Sequence, residues 1–452
     1  MRVVKSALRR TRASRLTGIG LALFWPSGRL WGPCRFTCSS PRTVQNPSYS
    51  SALPQPVGLP ALKSAVNPAV CAKVEVLTQF GKAEPLWREL VQQGAICSRY
   101  QHYSWMSGWW DHIGSISKAS PHVTVLRDDA GKPVLLLPLV RKQVGPLQVG
   151  FFMGGKHTNF NLPVWRPEYL QQPAAGLNAL LNGLRQNGPR LDLLVLLNQP
   201  GTWQGVANPM LHMSHAASAS RAFSGELQRD FEGLVKERMS ANARKKLRQK
   251  ERQLAALGPV AFQRARTPAE IDRVLAVFFQ QKAARMREQG LCNAFDAAGV
   301  KEFIRAAAHE IDPDTGEPVI ELYAASVGGT IIATFGGIVA DGRFSGMFIS
   351  IAGAEFRHYS PGELLLANVI RMCCERGLDR FDLGIGDATY KQVYCTDAEA
   401  LFDSVIPITA AGQVVAPLWC AGLALKGKVK KSDMLLRSVR SITQLMSRKA
   451  AV

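Results

Sequence analysis

The densest group of residues able to do chemistry lies in the run AGAEFRHYSPGELLLANVIRMCCERGLDRFDLGIGDATYKQVY, residues 352–394. Ser360, Pro361 and Glu363 carry the pattern of a capping box with proline at the first helical position, so a helix is expected to start here with its free N–H groups turned toward the preceding loop. Such an end attracts anions, and Arg357 and His358 just upstream would add positive charge. The same pattern also describes a packing helix that is well capped and binds nothing. A second concentration of charge lies at 236–252, with eight Lys/Arg against two acids. A run of this kind reads either as a solvated helix face or as a surface for a polyanion.

The elements that must position these groups are legible as an alternation of strands and helices. A strand at 74–77 and a helix at 84–93 lead to Trp105, Trp109, His112 and Ile113, whose spacing lays aromatics on one helix face for core packing. Residues 122–143 read as a hairpin around Asp-Asp-Ala-Gly. Lys156, His157, Asn159 and Asn161 follow in a Gly-Gly loop, then a helix at 169–186 and an apolar strand at 191–197. The Ser/Ala/Gly-rich stretch 202–225 reads as a connector. Beyond it, within 231–257, SANARKKLRQKERQLAALG reads as a long polar helix whose start Ser240 can cap and which Gly258-Pro259 stops. A strand at 260–263, helices at 267–288 and 297–309, and three antiparallel strands through 351 come next. The capped helix then runs to Gly377 and a strand to 381–383.

An antiparallel meander, a capped helix, a strand and the Gly-Ile-Gly-Asp loop form the order of the acyl-CoA-binding half of the GNAT fold. SPGELL followed by FDLGIGDATYK resembles the BioF2-like or CelD-like acetyltransferase branch of the GNAT superfamily, relatives of the FemAB peptidyltransferases. The Asn-x-Arg-Lys-x-x-Arg pattern of Asn242, Arg244, Lys245 and Arg248 is similar to that branch too. The resemblance covers roughly residues 74–410 and implies an α/β (α+β) protein of two tandem GNAT-like lobes, each a mixed, mainly antiparallel sheet flanked by helices. The expected division is an N-terminal extension over 1–72, a first lobe over 73–225, a second lobe over 226–410 and a basic amphipathic tail over 411–452.

The resemblance also implies an enzyme that moves an acyl group, acetyl-CoA or another acyl-CoA being the co-substrate, to an amine. The acceptor is a small molecule or a polysaccharide precursor, as in cell-surface polysaccharide production by CelD-like relatives. Asp387, Tyr390 and Tyr394 then become candidate catalytic residues, with Asp382 and Glu321 as further carboxylates. Arg357, His358, Ser360, Gly362 and Lys391 become candidate donor-binding residues, and Asn242, Arg244 and Arg248 candidate substrate-binding residues. The pyrophosphate loop departs from the usual Gln/Arg-x-x-Gly-x-Gly/Ala: EFRHYSPG supplies one glycine, on the helix side. A FemAB-like transferase using aminoacyl-tRNA, and a non-catalytic scaffold of a membrane synthase complex, are the alternatives.

Composition bounds these readings. The chain has 452 residues, a formal net charge of +21 and 46% hydrophobic residues, enough for more than one core. The excess charge is segmental: 11 Lys/Arg and no acid over 1–74, and eight Lys/Arg against one acid over 426–452. A uniformly basic nucleic-acid-binding domain is therefore disfavoured. The first segment reads as a transit-like leader or as sequence upstream of the true start. The last, with Met434, Leu435, Val439, Ile442 and Leu445, suits an anionic membrane surface or a partner. Nine cysteines form no CxxC pair, so a reducing compartment is expected, with no metal; His212 and His215 are the nearest approach to a metal motif. A cytoplasmic protein, peripheral at the inner face of the membrane, is expected.

Overall fold

The computed structural model describes residues 73–168, 172–386, 391 and 393–431. Its first half runs through β1 (Lys73–Leu77), α1 (Glu84–Gln92), α2 (Tyr103–Trp109), β2 (Ala119–Pro121), β3 (Val123–Arg127), β4 (Pro133–Leu137), β5 (Leu139–Val144), β6 (Leu147–Phe152) and β7 (Val164–Trp165). Helix α3 (Pro173–Gln186), β8 (Leu193–Pro200), the small hairpin of β9 (Thr202–Trp203) and β10 (Val206–Ala207), and β11 (Ala216–Glu226) complete it. The second half contains α4 (Phe231–Arg238), α5 (Ala241–Ala255), β12 (Val260–Arg264), α6 (Pro268–Glu288), α7 (Val300–His309), β13 (Glu321–Val327), β14 (Thr330–Ala340) and β15 (Arg343–Ile351). The single turn α8 (Ala354–Arg357), then α9 (Pro361–Glu375), β16 (Arg380–Ile385), β17 (Asp397–Pro407) and α10 (Ala410–Lys431) follow.

Eleven strands form one sheet in the order β12-β13-β14-β15-β16-β11-β17-β8-β6-β5-β2, and β1-β3-β4-β7 form a second sheet of four. Pairing is antiparallel except at two places, β15 with β16 and β6 with β8. At each, a helix makes the crossover that a parallel connection requires: α9 between β15 and β16, α3 between β6 and β8. The result is a mixed α/β fold, helices flanking a largely antiparallel sheet.

Two expectations need correcting. The presumed connector at 202–225 contains β11, which sits inside the large sheet between β16 and β17. Its sequence, AASASRAFSGE, has small residues and little alternation; flanking strands on both sides satisfy its backbone, so side-chain pattern has little to decide. The polar helix starts where its sequence places it: the Ser240 hydroxyl accepts from the Ala243 N–H and opens α5, with the short α4 ahead of it. The capping box at Ser360 does not form: Ser360 adopts φ 52°, and its side chain makes no cap hydrogen bond. By contrast Thr267 and Glu270 form both halves of a capping box on α6.

The core has two large parts. One gathers Trp87, Trp105, Tyr100, Phe160 and Trp165 around α1, α2 and the four-stranded sheet. The other packs α9, through Leu364, Leu365, Val369 and Ile370, onto the face of β13–β16 that carries Phe335, Phe344 and Phe381. Trp105 and Trp109 are buried, as their spacing predicts.

Candidate active site

The parallel strands β15 and β16 are in register only at Arg343↔Arg380, Phe344↔Phe381 and Ser345↔Asp382. Beyond these three pairs the two strands no longer pair, and a gap in the ladder starts between Gly346 and Leu383, both buried. Asn159, from the Gly-Gly loop of the first half, reaches into it: its Nδ2 donates to the Gly346 carbonyl (3.1 Å) and to the Tyr100 hydroxyl (2.8 Å). Gly384, at φ 64°, is where a Cβ would collide with the Asn159 side chain, so glycine is needed here both for backbone angle and for space. The nucleus of the site is thus assembled from both halves of the chain.

On the α9 side of the gap stands the corner expected to hold a donor's phosphates. Pro361 has no N–H, and the Glu363 and Leu364 amides donate to the Ser360 carbonyl at 3.0 and 3.2 Å, so few of the first-turn donors remain for an anion. Lys250 of α5 fills the position: its Nζ donates to Ser360 Oγ (2.5 Å) and to Glu363 Oε2 (3.1 Å). Gly362 lies against β15, where an added Cβ would stand 3.0 Å from Ile351 Cγ2. Its smallness brings helix to sheet. Arg357 pairs with Glu288 at 2.9 Å, and the exposed His358 ring lies 3.7 Å from that of Tyr359.

Asp387 and Tyr390 lie outside the described residues. Tyr394 is 5% exposed and its hydroxyl donates to Met239 Sδ at 3.6 Å; burial, and to a lesser degree the charge of Glu363, pushes its pKa up to about 12. Lys391 is buried, donating to the Gly384 and Ile385 carbonyls at 3.3 and 3.0 Å, where it closes the end of β16. Of the α5 residues, Asn242 and Arg248 are exposed, whereas Arg244 donates to the Lys236 and Met239 carbonyls at 3.1 Å each and ties α5 to α4. Lys245, Lys246, Arg248 and Arg252 form an exposed basic face on α5.

The opposite face of β15 and β16 carries a group of which the sequence singled out Asp382 alone. Arg343 donates to Asp382 (2.7 Å) and Glu399 (3.1 Å), and its guanidinium lies over the rings of Trp203 (4.5 Å) and Phe160 (5.0 Å). Ser345 and the Gly384 amide also donate to Asp382, and Ser224 to Glu399. Burial pushes the Asp382 carboxyl up, against the pull of Arg343 and Ser345; Glu399, less deeply placed, is held below its usual value because Arg343, Ser224 and Arg380 together outweigh burial. A cavity of about 430 Å³ opens here, lined by Arg99, Trp203, Asp341, Arg343, Asp379 and Glu399 among others. These residues come from strands β9, β15 and β17, from two turns and from the segment just before α2, and no single local spacing links them. Glu321, the remaining candidate carboxylate, is fully engaged by Arg376 (2.8 and 3.0 Å), Arg264 (3.2 Å) and the Tyr323 hydroxyl.

His102, Asp312 and Asp314 bring ligand-type atoms within 4.8 Å of one another. The charge there is met by guanidinium groups: Arg99 donates to Asp312 and Arg88 to Asp314. Burial alone pushes the Asp312 carboxyl up; the His102 hydrogen bond and the Arg99 charge hold it well below the carboxylate range. This is an ion-pair network that clamps the segment after α7 to α1 and the turn before α2.

Residues 241–392 match the family model of an acetyltransferase (GNAT) domain. The match spans less than half of the chain and starts at the first residue of α5. No curated protein matches. Among solved structures, FemX is 10% identical, with 76% of this chain and 99% of that chain covered and a TM-score of 0.50. The C-terminal domain of a putative lysylphosphatidylglycerol synthetase from Agrobacterium fabrum is 11% identical, covering 78% of this chain and 96% of that one, TM-score 0.43. A tandem GNAT protein from the clavulanic acid biosynthesis pathway is 11% identical, with 75% and 99% covered and a TM-score of 0.39. At such identities FemX shares the fold. The chain thus carries a GNAT acetyltransferase domain and is an acyltransferase-type enzyme, related in structure to FemX. The domain implies a site for an acyl-CoA in general.

Proposed function

We propose that the protein transfers an acyl group to an amine, and that the group arrives esterified to RNA, as an aminoacyl-tRNA, in the manner of the FemAB relatives. The observation that carries this reading is the pairing of a donor corner short of free amides with an exposed row of four cations beside it. Lys250 bridges Ser360 and Glu363 where a pyrophosphate would need main-chain donors, while Lys245, Lys246, Arg248 and Arg252 face solvent on the same helix. A polyanion recruited by such a row gains by counterion release, and its acyl terminus is then free to enter the gap between β15 and β16.

Chemically, the acceptor nitrogen must shed a proton, attack the ester carbonyl, pass through a tetrahedral oxyanion and expel a ribose hydroxyl that takes up a proton. The backbone of β15 and β16 beyond their last pair supplies positioning, which carries much of the acceleration in such transfers. We place the acceptor in the cavity beside Arg343, with the Asp341, Asp379 and Glu399 carboxylates drawing its ammonium, and Asp382, kept high by burial, behind Arg343. Asp387, Tyr390 and Tyr394 stay candidates for proton transfer. Tyr394 must leave its contact with Met239 to take part. The two-lobe reading rests on the repeated strand–helix–parallel-strand unit, β6-α3-β8 and β15-α9-β16.

The second reading keeps the fold and makes the donor an acyl-CoA, serving an amine in cell-surface polysaccharide production; the domain match over 241–392 favours it. Titration of the full chain with deacylated tRNA and, separately, with acetyl-CoA separates the two. Under the first, tRNA binds with a steep salt dependence that Lys245→Glu with Arg248→Glu flattens, and transfer from charged tRNA ends on RNase treatment. A rise in melting temperature with acetyl-CoA, and none with tRNA, decides for the second.

A further inference from the structure

Helix α10 closes the large sheet from one side. Its inner face packs Val415, Ala416, Trp419 and Leu423 against Leu193, Val195 and Val405. Gly427 comes so near β11 that an added Cβ would stand 3.0 Å from the Ala219 Cβ. An ordinary surface helix would turn polar residues outward. This one does not. Val414 is 74% exposed, Leu418 61% and Leu425 63%, half of the large apolar side chains that the described residues leave in solvent. With Ala421, also exposed, they recur at intervals of four, three and four, which at 3.6 residues per turn confines them to one narrow arc opposite the packed face.

The charge beside this stripe says what it meets. From Ala410 to Lys431 there is no Asp or Glu, and the last turns carry Lys426, Lys428, Lys430 and Lys431, of which Lys426 and Lys428 are exposed. An apolar arc ending in a cationic collar is the pattern of a helix lying in a lipid interface, the arc among acyl chains and the ammonium groups among phosphates. The helix itself is not long and apolar enough to cross a membrane.

We propose that the outer face of α10 seats the folded enzyme on an anionic phospholipid surface, with Val414, Leu418 and Leu425 entering the interface and Lys426 and Lys428 meeting headgroup phosphates. The proposal is independent of the donor's identity.

The test is flotation of the full chain with vesicles of phosphatidylcholine alone and with about one-third phosphatidylglycerol. Binding is expected to the anionic vesicles only and to weaken with added salt. The triple variant V414S/L418S/L425S should lose it by on the order of tenfold or more with melting temperature unchanged, since all three side chains point away from the core. Lys426→Gln with Lys428→Gln should weaken binding roughly tenfold while the apolar stripe remains. The proposal is overturned if the chain ignores anionic vesicles, or if the triple variant binds as the parent does. It is equally overturned if light scattering finds a dimer that the triple variant dissolves while neither protein floats, because the stripe is then a contact between copies.

Discussion

At the scale of single residues, buried charge and buried polarity are the groups most tightly constrained. Arg343 illustrates the point: it serves Asp382, Glu399, Trp203 and Phe160 together, so its loss would strand the buried Asp382 carboxyl and unpair Glu399. His122 is the opposite case, a fully buried ring with neither nitrogen hydrogen-bonded among the described residues, whose pKa burial and Arg141 lower to about 4. The unfolded chain therefore binds a proton near pH 6.5 that the folded one refuses until about pH 4. Stability is full above the unfolded value and declines as pH falls between the two, by on the order of 2–3 kcal/mol for this group. In His122→Leu that part of the decline should vanish, with no unpaired nitrogen left behind. Urea midpoints from acid to neutral pH check this; parallel curves for parent and variant would show that other groups set the slope.

At the scale of elements, close approach of α9 to β15 controls the site. Gly362 and the neighbouring Ile351 and Ile349 set the distance, and any side chain at 362 crowds those two isoleucines. Gly362→Val should cost about 1–3 kcal/mol by overpacking. It should also shift Ser360 and Glu363 away from Lys250, lowering transfer activity beyond what the stability loss explains. Measured together, melting temperature and turnover at a temperature where both proteins are folded test the idea, and unchanged turnover would count against a role for this corner. The break between α4 and α5 matters in the same way. It lets α5 turn its Leu254 into the core while its cations stay in water.

At the scale of the whole molecule, strand exchange joins what sequence reading separates. β11 from the first half lies between β16 and β17 of the second, and β17 pairs in turn with β8 of the first. Neither half can complete its sheet without the other, since each would expose unpaired strand edges. Calorimetry should accordingly show one cooperative transition. Fragments 73–225 and 226–431 produced separately should not fold, and should recover secondary structure only when mixed. Two resolved transitions in the intact chain would contradict this coupling.

What the amino-acid sequence determined by itself was local: the Ser240 start of α5, the aromatic face of α2, the meander β13-β14-β15 and the crossover helix after it. Each follows from residue period and terminal chemistry within a short window. The likeness to GNAT enzymes was also carried by such a window. The tertiary structure alone decided the rest. Only chain packing sets Ser360 in a left-handed conformation and brings Lys250 to it, 110 positions earlier in the chain. Only it places Asn159 in the gap, turns a Ser/Ala-rich stretch into a central strand, and collects Arg343, Glu399 and Trp203 around one cavity. Hydrogen-bond partners supplied across a sheet, and charges paired between distant strands, leave no periodic trace along the chain.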